Sequence, residues 1–204
     1  MRKLIMYSLI LYFTACLIGC AKTKPIIMKA DITDGHSIVY EQGQQVIASR
    51  KKYSGVGVIL PFEAIQADNP IDLYMLIVNY DSTPFNFSAE NVLAKCGQNT
   101  IYIYHPEEVL QELVKSTDIS NENLTGLTAE DIKSLAPQIA KHKQREQKEL
   151  SKFSSHLLKA QTIAPNNNHG GIIRMSFPSC GNKIELSIIA GKDTHKFKFN
   201  IIEK

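Results

Sequence analysis

Ile71-Asp72-Leu73-Tyr74-Met75-Leu76-Ile77-Val78-Asn79 is a nine-residue run dominated by aliphatic side chains. It is the strongest strand pattern in the chain. From Leu73 to Val78 it is apolar on both faces, which places the strand at the centre of a packed sheet. Tyr80-Asp81-Ser82-Thr83-Pro84 follows with turn chemistry. Phe85 and Phe87 then alternate with Asn86 and Ser88, and a strand is expected to run on to Leu93. Asn99 to Tyr104 reads as another.

Upstream, Gly55 to Phe62 is an apolar run stopped by Pro61, and Ser37 to Ala48 alternates around Gln42-Gly43-Gln44 as a hairpin. Residues 21–35 have polar spacing with little periodicity and read as a tether. Downstream, the texture changes. Pro106-Glu107-Glu108 is a helix start, with Val109, Leu110, Leu113 and Val114 on one face. A second start stands at Thr128-Ala129-Glu130-Asp131. Ile132, Leu135, Ile139, Leu150, Phe153 and Leu157 then fall near helical spacing, with Pro137 set to kink or divide the helix. Asn166 to Gly171 reads as a loop. Ile172 to Phe177, Ile184 to Ile188 and Phe197 to Ile201 read as strands.

About seven short strands with turns between them give a mainly β fold of the α+β kind, an immunoglobulin-like β-sandwich with a helical insertion at about 106–162. Val78 to Phe85 resembles strand–turn–strand edges in exported bacterial immunoglobulin-like modules. The expected organisation is a leader over 1–19, a modified residue and tether over 20–35, and one folded domain over 36–204.

The leader carries its own signal. Arg2 and Lys3 precede a mostly apolar run from Leu4 to Ile18, the pattern of a secretory signal and shorter than the roughly 20 residues of a spanning helix. Leu17-Ile18-Gly19-Cys20 closes it and resembles the lipobox of bacterial lipoproteins. That resemblance implies that the Cys20 thiol takes a diacylglycerol, that residues 1–19 are removed, and that palmitate-type acyl chains hold the protein on a membrane. A thiolate is the strongest nucleophile among the side chains, and two or three chains anchor stably where one does not. Ile18 departs from the usual small residue of the motif. Ala21 is not the aspartate that resembles an inner-membrane retention signal. In a host with two membranes the expected address is therefore the outer membrane, facing the periplasm.

Composition narrows the partners. The 204-residue chain has a formal charge of +3, and losing the two basic residues of the leader lowers it to +1. A near-neutral balance argues against nucleic acid. Cys96 and Cys180 remain besides Cys20, each followed by glycine. In an exported chain this pair is expected to form a disulfide, worth about 4–5 kcal/mol by chain entropy.

Catalytic patterns are lacking. His36, His105, His142, His156, His169 and His195 show no zinc-like spacing, and surface or capping roles are expected for them. Gly55-Val56-Gly57 lacks the following helix of a phosphate loop and reads as small residues in a strand. Ser, His and Asp occur without a G-x-S-x-G elbow. Neither a catalytic residue, a metal site nor a cofactor is expected. The polar run Lys141 to Glu149 reads as a solvated helix face or a face that docks a partner.

The expectation is a non-enzymatic envelope lipoprotein, anchored in the membrane through lipid on Cys20. It would be a structural or interaction module with an envelope protein as partner, an accessory part of an envelope or secretion assembly. The alternative is a ligand-binding lipoprotein with a pocket between sheet and helices. A third possibility is an envelope hydrolase, with perturbed acid or histidine groups in a cleft.

Overall fold

The computed structural model describes residues 25–33, 35–41, 44–60, 65–66, 69–119, 145, 148–178 and 181–203. Its strands are β1 Pro25–Asp31, β2 His36–Glu41, β3 Gln44–Arg50, β4 Ser54–Ile59, β5 Ile65–Gln66, β6 Ile71–Asn79, β7 Phe85–Phe87, β8 Val92–Cys96, β9 Asn99–Ile101, β10 Gln161–Ile163, β11 Asn168–Met175, β12 Lys183–Ala190 and β13 Asp193–Glu203. Helix α1 spans Pro106–Ile119, and residues 148–156 are helical. One sheet has the order β5-β1-β13-β12-β8-β9 and the other β11-β6-β4-β3-β2, with β10-β7 as a short ribbon beside them. Every strand pair is antiparallel. The chain is thus a mainly β, immunoglobulin-like sandwich with a helical insertion. It has more strands than the seven expected, and the insertion falls between β9 and β10.

β6 occupies the interior of its sheet, between β11 and β4. Ile71, Leu73, Met75 and Ile77 on one side are fully buried, while Tyr74 on the other is 38 % exposed. Only one face of β6 therefore meets the opposing sheet, although both faces are apolar in sequence. The core is built by alternation from both sheets. Val56, Val58, Leu73 and Met75 come from one, and Ile184, Leu186, Phe197 and Phe199 from the other. Filling an interlayer with such side chains is the main favourable term for a fold of this kind.

Three expectations need correction. Residues 25–31 are not tether but β1, whose Ile26 and Met28 are buried and which pairs with β13 from Ile26↔Glu203 to Asp31↔Lys198. The strand at Phe85 does not continue to Leu93. Asn91 Oδ1 accepts from the Ser88 amide at 2.9 Å and closes a 3₁₀ turn over Ala89–Asn91. β7 and β8 consequently lie in different sheets. Finally, His169-Gly170-Gly171 belongs to β11 and registers with Ile77, Leu76 and Met75.

The glycines of β11 have a steric reason. A Cβ on Gly171 would stand 2.7 Å from both the N and Cα of Leu158 and 2.9 Å from the His156 carbonyl oxygen. All three are backbone atoms and cannot rotate away. The helical residues 148–156 thus lead directly onto β11, where the Leu158 amide donates to the Ile172 carbonyl at 2.9 Å. Arg174 reinforces the seat. Its guanidinium forks onto Asp72 with two 2.8 Å bonds and lies over the Phe153 ring at 5.1 Å. Gly171→Ala should cost about 1–3 kcal/mol by overpacking, measured by chemical denaturation. A value within the scatter of surface substitutions would mean that this segment is not seated on β11.

Gly55 and Gly57 lie inside β4, as small residues in a strand. A Cβ on Gly55 would meet the Tyr80 hydroxyl at 2.9 Å. Cys96 ends β8, is buried and is disulfide-bonded. Cys180 lies outside the described residues, as do the leader with Cys20, the hairpin tip at Gln42-Gly43, and the second helix start with Pro137.

Candidate functional site

The densest polar constellation lies at one end of the sandwich, where β3 and β4 meet the start of β13. Ser49 and Ser54 sit on the first two strands, and Asp193 and His195 on the third. Ser54 and His195 are fully buried, and Ser49 nearly so. His195 shares the inward phase of Phe197 and Phe199, so strand alternation carries it into the core. A surface or capping role was expected for this histidine; the structure gives it a core position instead.

Its hydrogen bonds define the tautomer. Ser54 Oγ lies 3.0 Å from the Ala190 carbonyl oxygen, 3.0 Å from Asp193 Oδ2 and 2.9 Å from His195 Nε2. The first two can only accept, so the single Ser54 hydroxyl proton goes to one of them. Nε2 then carries the ring proton and donates to Ser54 Oγ. The Ser49 hydroxyl donates to Nδ1 at 2.9 Å. Asp193 Oδ2 also accepts the amides of Tyr53 and Ser54, both at 2.8 Å, and makes no bond to the imidazole. A nucleophile–base pair needs a carboxylate orienting the ring and a serine open to substrate, whereas the one serine that donates to this imidazole, Ser49, is buried and the other ring nitrogen is held by Ser54. This cluster is a clasp that ties the two sheets with every buried polar atom satisfied. Burial, followed by the nearby Lys51 charge, pushes His195 down to about 4, so the imidazole is neutral at physiological pH.

Around the clasp lies an exposed cationic and aromatic rim. Lys51 Nζ donates to the Thr194 carbonyl at 2.6 Å, and Lys192 pairs with Asp81 at 2.7 Å. The Lys192 ammonium beside Asp81 holds that carboxyl below its usual range. Lys52 and Lys192 both approach the Tyr53 ring, and Arg50 covers Tyr80. These cations have internal partners already.

A second constellation stands at the entry to α1. Glu108 accepts the Tyr102 hydroxyl at 2.7 and 2.8 Å and the His105 amide at 2.8 Å. The amide bond, followed by the phenol, holds the Glu108 carboxyl below its usual range. Carboxylate back-bonding to the residue before the first turn is helix capping, so His105 stands at the capping position expected for it. Beside it, Glu90, Val92, Thr100, Ile101, Tyr102 and His105 help line a hollow of about 200 Å³. Ligand pockets usually run to about 300–1,000 Å³, so this hollow is small for one.

The other histidines are dispersed. His36 donates through Nε2 to the Lys196 carbonyl at 2.8 Å, and His169 to the Lys159 carbonyl at 2.8 Å. His156 turns back on its own helix at the Lys152 carbonyl. Among the described residues, no three His, Cys, Asp or Glu side chains stand together as metal ligands. His142, Cys20, Cys180 and most of Lys141 to Glu149 lie outside the described residues. Compared with known protein families and with curated proteins, the chain matches none.

Proposed function

We propose that this protein is a membrane-anchored envelope lipoprotein, held by lipid on Cys20, whose β-sandwich acts as a non-enzymatic interaction module for an envelope protein partner. The observation that carries the reading is the Leu17-Ile18-Gly19-Cys20 stretch behind a short apolar leader. Several features support it. The core between the sheets is filled by apolar side chains, and the polar cluster inside it is a closed clasp. The hollow beside α1 is smaller than a ligand pocket needs. Pairing of Cys96 with Cys180 belongs to the same reading, since oxidising compartments sustain such bonds.

β1 changes the anchor geometry. Four residues separate Cys20 from Pro25, and the five steps between them reach at most about 18 Å when fully extended. The domain therefore rides close against the bilayer, and the long tether expected from sequence shrinks to a short link.

Metabolic labelling with an acyl chain, with membrane fractionation, tests the proposal. The wild-type chain should take label and sediment with membranes. Cys20→Ala should lose the label and appear as soluble protein or as unprocessed precursor. Equal label in the variant would sink the anchor.

A further inference from the structure

The two large sheets have four edges among the described residues, and three of them are short or covered. β5 has only two residues and β9 only three. β11 is covered by bridges from Ile172 to Leu157 and from Met175 to Ile103. β2 is different. Its six residues pair with β3 on one side, and no described residue pairs with the other. Ile38 is 41 %, Val39 49 % and Tyr40 74 % exposed. The strand has no lysine, proline or bulge of the kind that guards an edge.

We propose that β2 docks a second copy of this chain, antiparallel and centred on Val39, so that two five-stranded sheets become one ten-stranded sheet. The side-chain pattern argues for this occupant. A two-fold axis perpendicular to the sheet keeps inner faces with inner faces, so a residue opposes only residues of its own parity. Ile38 and Tyr40 share one face, since Ile38 registers with the buried Ile47. Val39 lies on the other, beside Val46. With the axis at Val39, Val39 meets Val39 of the second copy, and Ile38 meets Tyr40 of the second copy, twice. Every exposed apolar side chain of the strand then has an apolar partner across the junction, the arrangement that favours cross-strand pairing. With the axis at Ile38, Val39 would face Ser37, and Tyr40 would face a His36 already held by the Lys196 carbonyl. The register is thus fixed by self-complementarity, and strand addition supplies the backbone hydrogen bonds. The inference does not depend on the lipid anchor.

Sedimentation of the intact chain in detergent, over a range of concentrations, gives the first readout. A reversible dimer is expected. Val39→Lys sets two ammonium groups against each other at the axis and should weaken association at least tenfold, with the melting temperature of the domain unchanged. Val39→Cys should form a covalent dimer on mild oxidation, and Ser37→Cys, offset from the axis, should not. A wild-type chain that stays monomeric would overturn the proposal, as would a dimer insensitive to Val39→Lys or one that Ser37→Cys locks equally well. A monomer that instead holds an unrelated extended peptide at β2 would also overturn it.

Discussion

Phe197→Ala is expected to remove about 3–5 kcal/mol of stability, the usual range for emptying a buried phenylalanine site. Phe197 is 1 % exposed and sits on β13, which is flanked by β1 and β12. Its ring lies parallel to that of Phe199 at 6.5 Å and meets the His36 ring at 5.0 Å. Three constraints keep the space from closing. β13 is hydrogen-bonded on both sides, Phe199 is locked in the same row, and His36 is fixed by its bond to the Lys196 carbonyl. The site cannot collapse, so the cavity term adds to the lost transfer energy. Domains of this size hold only about 5–15 kcal/mol in all, so roughly a fifth or more of the stability disappears. Urea denaturation measures it. Ile189→Ala, on the outer side of β12 and half exposed, serves as the comparison and should cost under about 1 kcal/mol. Equal losses for the two variants would contradict the packing described.

Acid is expected to weaken the fold through His195. The buried imidazole titrates at about 4 in the folded protein, against an ordinary value of 6.5. Between those values the unfolded chain binds the proton and the folded chain does not. Stability therefore falls as pH drops below 6.5, and the loss levels off below 4, where the folded state also protonates. The full shift corresponds to about 3 kcal/mol, of which about 2.5 is lost by pH 4.5. Desolvation is the leading cause, and the charges that face the ring are Lys51, Asp193 and His36. Lys51 and His36 oppose protonation, and Asp193 partly offsets them. His195→Gln keeps a donor toward Ser54 and carries no titrating group. Its unfolding free energy should drop less than that of the wild type between pH 7.5 and 4.5, by about 2 kcal/mol. Parallel pH profiles for the two proteins would remove His195 as the cause.

Much of the sandwich was legible because its strands alternate. Ser37 to Ala48 gave the β2–β3 hairpin, and Ile71 to Asn79 gave β6 with its bounds. β1 was hidden by neighbours. Ile26, Met28 and Ala30 alternate correctly, but Lys22, Lys24, Asp31 and Asp34 around them lend the stretch the look of a linker. The break between β7 and β8 turns on one side-chain bond from Asn91, which hydrophobic periodicity does not register. Gly170 and Gly171 were read as part of a loop, whereas they lie in a strand and are small because Leu158 and Tyr74 crowd them. The clasp had a readable half. His195 is in phase with Phe197 and Phe199, a sign of burial, yet the serines that receive it lie about 140 residues earlier in the chain. Pairing over that distance is a property of the fold and leaves no local mark.

The pairing of β1 with β13 has a mechanical meaning. If lipid on Cys20 holds the protein to a membrane, as proposed, any pull between that membrane and a bound partner enters through Pro25 and runs along β1. Ile26↔Glu203 to Asp31↔Lys198 lie side by side along that line. A load applied at the far end of the sandwich stretches these pairs in parallel, so they must yield together, where a peeled strand would give them up one at a time. The same strand that shortens the proposed link to a bilayer would thereby make such an attachment resistant to force, and a proline placed within Met28 to Ala30 would turn a rigid mount into a weak one.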